Sequence, residues 1–307
     1  MRRFSVLICL LFFTFVFSVL SCVSNAASAE EYFSIGMAYY DLGKFSDAEK
    51  WLLRAASADK TKTASEYNLG RIAFETGRFA EAAGHFENVL KRDPENVMAL
   101  KAAAYTYIKT NNIKEAETLY DRVLKLAPES SDDGYNYALV LFALGKYDEC
   151  RITLLNYPFA LDEKPDSLLL LARAQAASER VEAADSYAKW LAGNSAANPK
   201  VLHEYAQVLE KAELYALALE QYREGLAAMR DDLPNLRKNQ IRFDAARVLL
   251  IADPANAEAI SELQTAIDEG FDDINALEAL LYDSRIDDEQ KTEIAGLLEN
   301  LLNSENS

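Results

Sequence analysis

Histidine, cysteine, proline and glycine are scarce in this chain of 307 residues, which holds two His, three Cys, seven Pro and 11 Gly. Two histidines, His85 and His203, are too few to build a His-rich metal centre. No Cys-x-x-Cys, Gly-x-Ser-x-Gly, Walker-type or His-Glu-x-x-His pattern occurs. Redox, acyl-transfer, phosphate-cradling and metalloprotease chemistry therefore have no foothold, and no enzyme activity, cofactor or metal is expected. Few helix breakers, and few β-branched runs beyond the N-terminus, leave an all-α fold as the expectation. Basic charge is also in short supply: 32 Lys and Arg stand against 49 Asp and Glu, a net charge of −17. That excess disfavours nucleic acid, whose non-specific binding rests on Lys and Arg neutralising phosphates, and it disfavours adsorption to anionic lipid heads. What is plentiful is core material, since 50% of the residues are hydrophobic.

One long apolar run is present, at the start. Met1, Arg2 and Arg3 precede FSVLICLLFFTFVFSVL at 4–20, the layout of a secretory signal. The run is also near the roughly 17 residues that can span a bilayer, so an uncleaved signal anchor is the competing reading. VLSC at 19–22 resembles a bacterial lipobox. That resemblance implies a signal peptide over 1–21, lipidation of Cys22, a short tether over 22–28 and a folded part held in the periplasm by a membrane anchor. Small-residue sites at 24–26 (SNA) and 27–29 (ASA) keep open a soluble periplasmic product. If Cys9 leaves with the signal and Cys22 is acylated, Cys150 remains as a lone thiol that should be buried.

The rest of the chain repeats with a period of 34. Gly36, Gly70, Ala104, Ala138, Ala172 and Ala206 form one column of small residues; Ala48, Ala82, Ala116, Cys150, Ala184 and Ala218 form another. Phe45, Phe79, Ile113, Tyr147, Val181 and Tyr215 form an apolar column, and Leu52, Phe86, Tyr120, Leu154, Ala188 and Tyr222 a fourth. A glycine inside a helix costs about 1 kcal/mol relative to alanine, so Gly70 is expected to serve a close approach of two helices. Gly77 ends a helix, with Gly43, Asn111 and Gly145 in the same column, whereas Glu179 and Glu213 depart from it. Pro158 should stop or kink the second helix of the fourth repeat near Tyr157. Beyond 232 the period is lost but helical patterning continues, with a C-cap at Gly270 and acidic caps at Asp273 and the Asp287-Asp288 pair.

The period and residue types resemble the tetratricopeptide repeat, through YFSIGMAYYDLGKFSDAEKWL (32–52), YNLGRIAFETGRFAEAAGHF (67–86), LKAAAYTYIKTNNIKEAETLY (100–120) and the closing Pro94 and Pro128. The resemblance implies a right-handed α–α superhelix, with six repeats over 29–232 and a degenerate repeat plus helical cap over 233–307. It also implies that the first helix of each repeat lines a concave groove that binds a protein or peptide segment. The corresponding positions hold Tyr40; Tyr67, Asn68, Arg71 and Phe74; Lys101, Tyr105, Ile108 and Lys109; Tyr135, Asn136, Leu139 and Phe142; then Arg173, His203 and Gln207. Aromatic and Arg side chains are the usual anchors of interfaces. The carboxylate-clamp pattern of the family is not met: its positions hold Phe33, Met37, Asn68, Met98 and Ala102, of which only Asn68 fits. Similar proteins serve in outer-membrane assembly and beside periplasmic solute-uptake systems, so capture of a small ligand in the groove is the alternative reading.

Overall fold

The computed structural model describes residues 28–157, 165–194, 198–230, 233–253 and 256–305. The signal segment, Cys22 and Pro158 lie outside the described residues. Sixteen described helices divide into two compact units, which meet in sequence between Glu129 and Ser130. The N-terminal unit holds three hairpins: α1 (Ala29–Asp41) with α2 (Phe45–Ala55), α3 (Asp59–Glu75) with α4 (Phe79–Arg92), and α5 (Val97–Lys109) with α6 (Ile113–Leu126). The C-terminal unit begins with α7 (Ser131–Ala143) and α8 (Tyr147–Asn156), α9 (Pro165–Ala177) and α10 (Ala183–Gly193), and α11 (Pro199–Lys211) and α12 (Tyr215–Ala228). It ends with the pairs α13 (Lys238–Ala252) and α14 (Glu258–Asp268), then α15 (Ile274–Tyr282) and α16 (Asp288–Glu305). The chain is thus all-α, a succession of α–α hairpins as in a superhelical solenoid.

The small columns explain why the hairpins close. Gly36, Gly70, Ala104, Ala138, Ala172 and Ala206 are all buried in the first helix of their hairpin. A Cβ on Gly70 would stand 2.6 Å from the Phe86 ring, and one on Gly36 would stand 2.8 Å from Leu52 Cγ. The large residue of the fourth column fills the space that the missing side chain leaves. Gly84, by contrast, has nothing within 4 Å of an added Cβ. Cys150 is fully buried, and burial pushes its thiol up to about 12, so it behaves as a packed small residue. Helix α8 ends at Asn156 with Tyr157 as its cap, immediately before Pro158.

The fifth hairpin corrects the strict period. Val181 is 89% exposed, and the buried residues of α10 include Ala183 and Tyr187, one place ahead of Ala184 and Ala188. Because α10 starts only at Ala183, after a tight turn, the helix presents the neighbouring register to the core. The exchange places a tyrosine where the period would have left an alanine.

Six turns nevertheless share one geometry. Gly43, Gly77 and Gly145 take φ of 69°, 76° and 73°, and Asn111, Glu179 and Glu213 follow at 60°, 55° and 59°. In each, the next amide donates to the carbonyl five residues back, as Arg78 N does to Ala73 O at 2.8 Å and Leu214 N to Leu209 O at 2.9 Å. The two glutamates therefore hold a left-handed conformation that costs an L-residue about 1–2 kcal/mol. Glu213→Gly is expected to stabilise the C-terminal unit by about 0.5–1 kcal/mol, the rest being offset by the greater freedom of glycine in the unfolded chain. Thermal melting that shows no gain would remove this account of the turn.

The terminal helices carry the caps expected of them. Gly270 (φ 94°) ends α14, Asp273 accepts the Ala276 amide at 3.0 Å, and Asp287 accepts the Gln290 amide at 2.8 Å.

Candidate functional site

In the N-terminal unit the first helices of successive hairpins touch one another, α1 with α3 and α3 with α5. Their side chains make a continuous series of contacts. The Arg71 guanidinium lies 4.5 Å from the Tyr40 ring centroid, with Nη2 donating to Tyr40 Oη at 2.9 Å and Nη1 to Asn68 Oδ1 at 3.1 Å. Asn68 is buried and its amide nitrogen donates to Ala64 O at 2.9 Å, which fixes the carbonyl end toward Arg71. One turn along α3, the Phe74 ring meets the Tyr105 ring at 5.4 Å, and Lys109 Nζ sits 5.2 Å from the centre of Tyr105. Tyr105 is 45% exposed and Met98, seven places earlier on α5, is 62% exposed. Residues seven apart share a helix face, so Met98 extends the exposed strip. In the sequence it stood at a position of the carboxylate clamp and counted only against that pattern, although its apolar character there was the available signal. Lys101, between them, is half-buried.

Other residues of the strip also serve the hairpins themselves. Tyr40 packs on Phe45 at 5.6 Å, Phe74 on Phe79 at 5.2 Å, and Phe142 on Tyr147 at 5.2 Å, an equivalent aromatic pair across three turns. Tyr67 turns its ring to Phe86 at 5.7 Å and packs within its own hairpin.

The C-terminal unit presents a different surface. Arg173 is held by both oxygens of Glu204, at 2.8 and 3.1 Å, and Tyr187 Oη donates to the same carboxylate at 3.3 Å. Its positive charge is therefore already matched. Tyr135 and Asn136 are half-buried on α7, with the Tyr135 hydroxyl pushed up by burial and by Asp166, while Leu139 and Gln207 are exposed. His203 is buried, its Nε2 2.7 Å from Asp244 Oδ2. Asp244 also pairs with Arg247 at 3.1 Å, and Arg247 grips Glu210 through two bonds of 2.7 and 3.0 Å. Tyr222 donates to Glu210 at 3.0 Å, and burial raises its pKa. These groups are hydrogen-bonded to one another across α11, α12 and α13, and they bind those helices together. Asp244 and Arg247 were not singled out in the sequence, because a lone Asp–Arg pair three apart reads as an ordinary surface pair on a helix.

His85 belongs to a smaller version of the same arrangement, its Nδ1 2.8 Å from Glu66 Oε2 between α3 and α4. A hollow of about 310 Å³ opens in the N-terminal unit, lined by residues of α4, α5 and α6 including Leu90, Tyr107, Leu119 and Arg122. None of the strip residues Tyr67, Tyr105 or Arg173 lines it. Among the described residues no group of three potential ligands could hold a metal ion, and no helix is long and apolar enough to cross a membrane.

Comparison with known proteins matches residues 29–62 and 73–133 to models described as tetratricopeptide repeat. Residues 109–191 match the model for anaphase-promoting complex, cyclosome, subunit 3. The chain is 31% identical over 88 residues to anaphase-promoting complex subunit 3 of Schizosaccharomyces pombe, covering 29% of this chain and only 13% of that protein's length. It is 25% identical over 161 residues to an uncharacterized lipoprotein of Treponema pallidum, covering 52% and 82%. Two solved structures share the fold at a TM-score of 0.54. One is a tetratricopeptide repeat protein from Parabacteroides merdae (17% identity, 82% of this chain and 97% of that one). The other is YrrB, described as a TPR protein with an unusual peptide-binding site (16% identity, 59% and 93%).

Proposed function

We propose that this chain, which contains tetratricopeptide repeats, is a non-enzymatic adaptor of the bacterial cell envelope. In this reading it is anchored by lipid on Cys22, its folded part stands in the periplasm, and it holds an extended segment of a partner protein. Six repeats over 29–232 form the binding array, and 233–307 form a degenerate repeat and cap. The observation that carries the reading is the series Tyr40, Arg71, Phe74, Tyr105 and Lys109, which links the first helices of three successive hairpins and leaves Tyr105 and Met98 open. Exposed aromatics beside cations are the composition of binding hot spots. The peptide-binding site named for YrrB and the lipoprotein named in Treponema pallidum support the two halves of the proposal. Small-ligand capture finds less support, because the hollow of about 310 Å³ is lined by other residues.

Two measurements test it. With a photo-crosslinking residue at Met98, Phe74→Ala combined with Tyr105→Ala should cut the yield of crosslinked envelope partner at least about fivefold, since each anchor is worth more than about 1 kcal/mol. Unchanged yield at unchanged helical content would reject the groove. Cys22→Ala should abolish incorporation of labelled fatty acid and release the protein from membranes; labelling at the wild-type level would reject the anchor.

A further inference from the structure

Acidic residues outnumber basic ones by 49 to 32, so a guanidinium has no shortage of partners. Most described arginines on the hairpins have taken one. Arg78 pairs with Glu49 and Glu81, Arg173 with Glu204, Arg242 with Glu262 and Glu269, and Arg247 with Glu210 and Asp244. Arg71 is an exception at the centre of the exposed strip. Among the described residues no carboxylate lies within ion-pair distance of it, and its partners are the neutral Asn68 and Tyr40. These two contacts use two of its five N–H donors and leave three. They also hold the guanidinium in place, because Asn68 is itself buried and tied to the α3 backbone. A fixed, half-buried cation with spare donors loses little freedom when it binds a carboxylate in a bidentate fashion.

We infer that Arg71 is the receptor for an acidic side chain within an extended partner segment, and that Phe74 and Tyr105 seat the apolar residue beside it. The inference deepens the groove reading and rests on it. An internal acid, rather than a chain terminus, fits because the strip continues on both sides of Arg71: Tyr40 on α1 flanks it on one side, and Phe74, Tyr105 and Lys109 on the other. A segment that ended at Arg71 would leave half of that surface unused.

The test uses the full chain and short fluorescein-labelled peptides, each amidated at its C-terminus and carrying a central Glu between Leu and Phe, or Gln in the same place. A third peptide carries the Gln and a free terminal carboxylate. Anisotropy should show the Glu peptide binding about tenfold or more tighter than the Gln peptide, as expected of hydrogen bonds to a charged group. Arg71→Gln should remove that difference, Arg71→Lys should restore part of it, and both variants should keep the wild-type helical content at the assay temperature. Equal binding of the Glu and Gln peptides, or an Arg71→Gln variant that still discriminates between them, overturns the inference. Tightest binding of the free-carboxylate peptide overturns it in favour of a chain end. If both amidated peptides bind alike and lose affinity with Phe74→Ala, the groove reading stands and only the receptor assignment falls. If no peptide binds, and crosslinking in the envelope ignores Phe74 and Tyr105, both fall together.

Discussion

Asp244→Ala is expected to destabilise the C-terminal unit by about 3–5 kcal/mol, the cost of removing one partner from a buried ion pair. The Asp244 side chain is 3% exposed and joins His203, Arg247 and Gln240, so its loss removes a partner from three polar groups at once. Arg247 would retain Glu210, which limits the damage on that side. Among the described residues Asp244 is the one hydrogen-bond partner of the His203 ring, which otherwise packs on the Tyr222 ring at 5.6 Å, so the buried imidazole would lose that bond. Hydrogen exchange of α11 and α13 amides, read alongside urea unfolding, localises the effect to the unit concerned. A loss of less than about 1 kcal/mol would mean that water or a shifted neighbour satisfies the stranded groups, and that the network does not join the helices. Replacing the whole set by apolar residues of similar volume is a different experiment, and it can be neutral, because the ions then carry no desolvation cost.

Gly70→Ala and Gly84→Ala should change stability in opposite directions although both glycines lie inside helices. Each substitution gains helix propensity of about 1 kcal/mol. At Gly84 nothing stands in the way of the new methyl group, and the gain is realised. At Gly70 three atoms of the Phe86 ring would lie within 2.9 Å of it, and Phe86 is only 2% exposed, so the ring cannot swing into solvent. Overpacking of this kind costs about 1–3 kcal/mol, enough to outweigh the propensity gain. Phe86→Leu in the Gly70→Ala background should recover part of the loss, a coupling that a double-mutant cycle measures. Stabilisation by Gly70→Ala would show that α3 and α4 can move apart freely and that the small column does not set the hairpin spacing.

The candidate strip was partly legible. Tyr40, Arg71, Phe74, Tyr105 and Lys109 could be placed on one face from the repeat alone, because a fixed period carries a fixed orientation with it. Arg173 holds an equivalent position and yet is already matched by Glu204, a partner 31 residues away. Tyr67 shares the face by count but leans into its hairpin. Neither outcome is visible in a sequence, since a side chain's partner depends on which rotamer the neighbouring helix leaves open. The buried cluster around Asp244 was invisible for the same reason: its members come from three helices at separations set by packing.

The amino-acid sequence by itself determined the helical class, the repeat length, the small columns that bring paired helices together and the positions of the turns, because each of these follows from local propensity or from a regular spacing. The tertiary structure alone decided that α10 meets the core through Ala183 and Tyr187 instead of their successors, that two glutamates adopt the left-handed turn, and that among the described residues Arg71 is left without an acid while Arg173 is given one. Those outcomes are settled by competition among neighbours for the same volume and the same charge, and that competition begins only when the helices are packed.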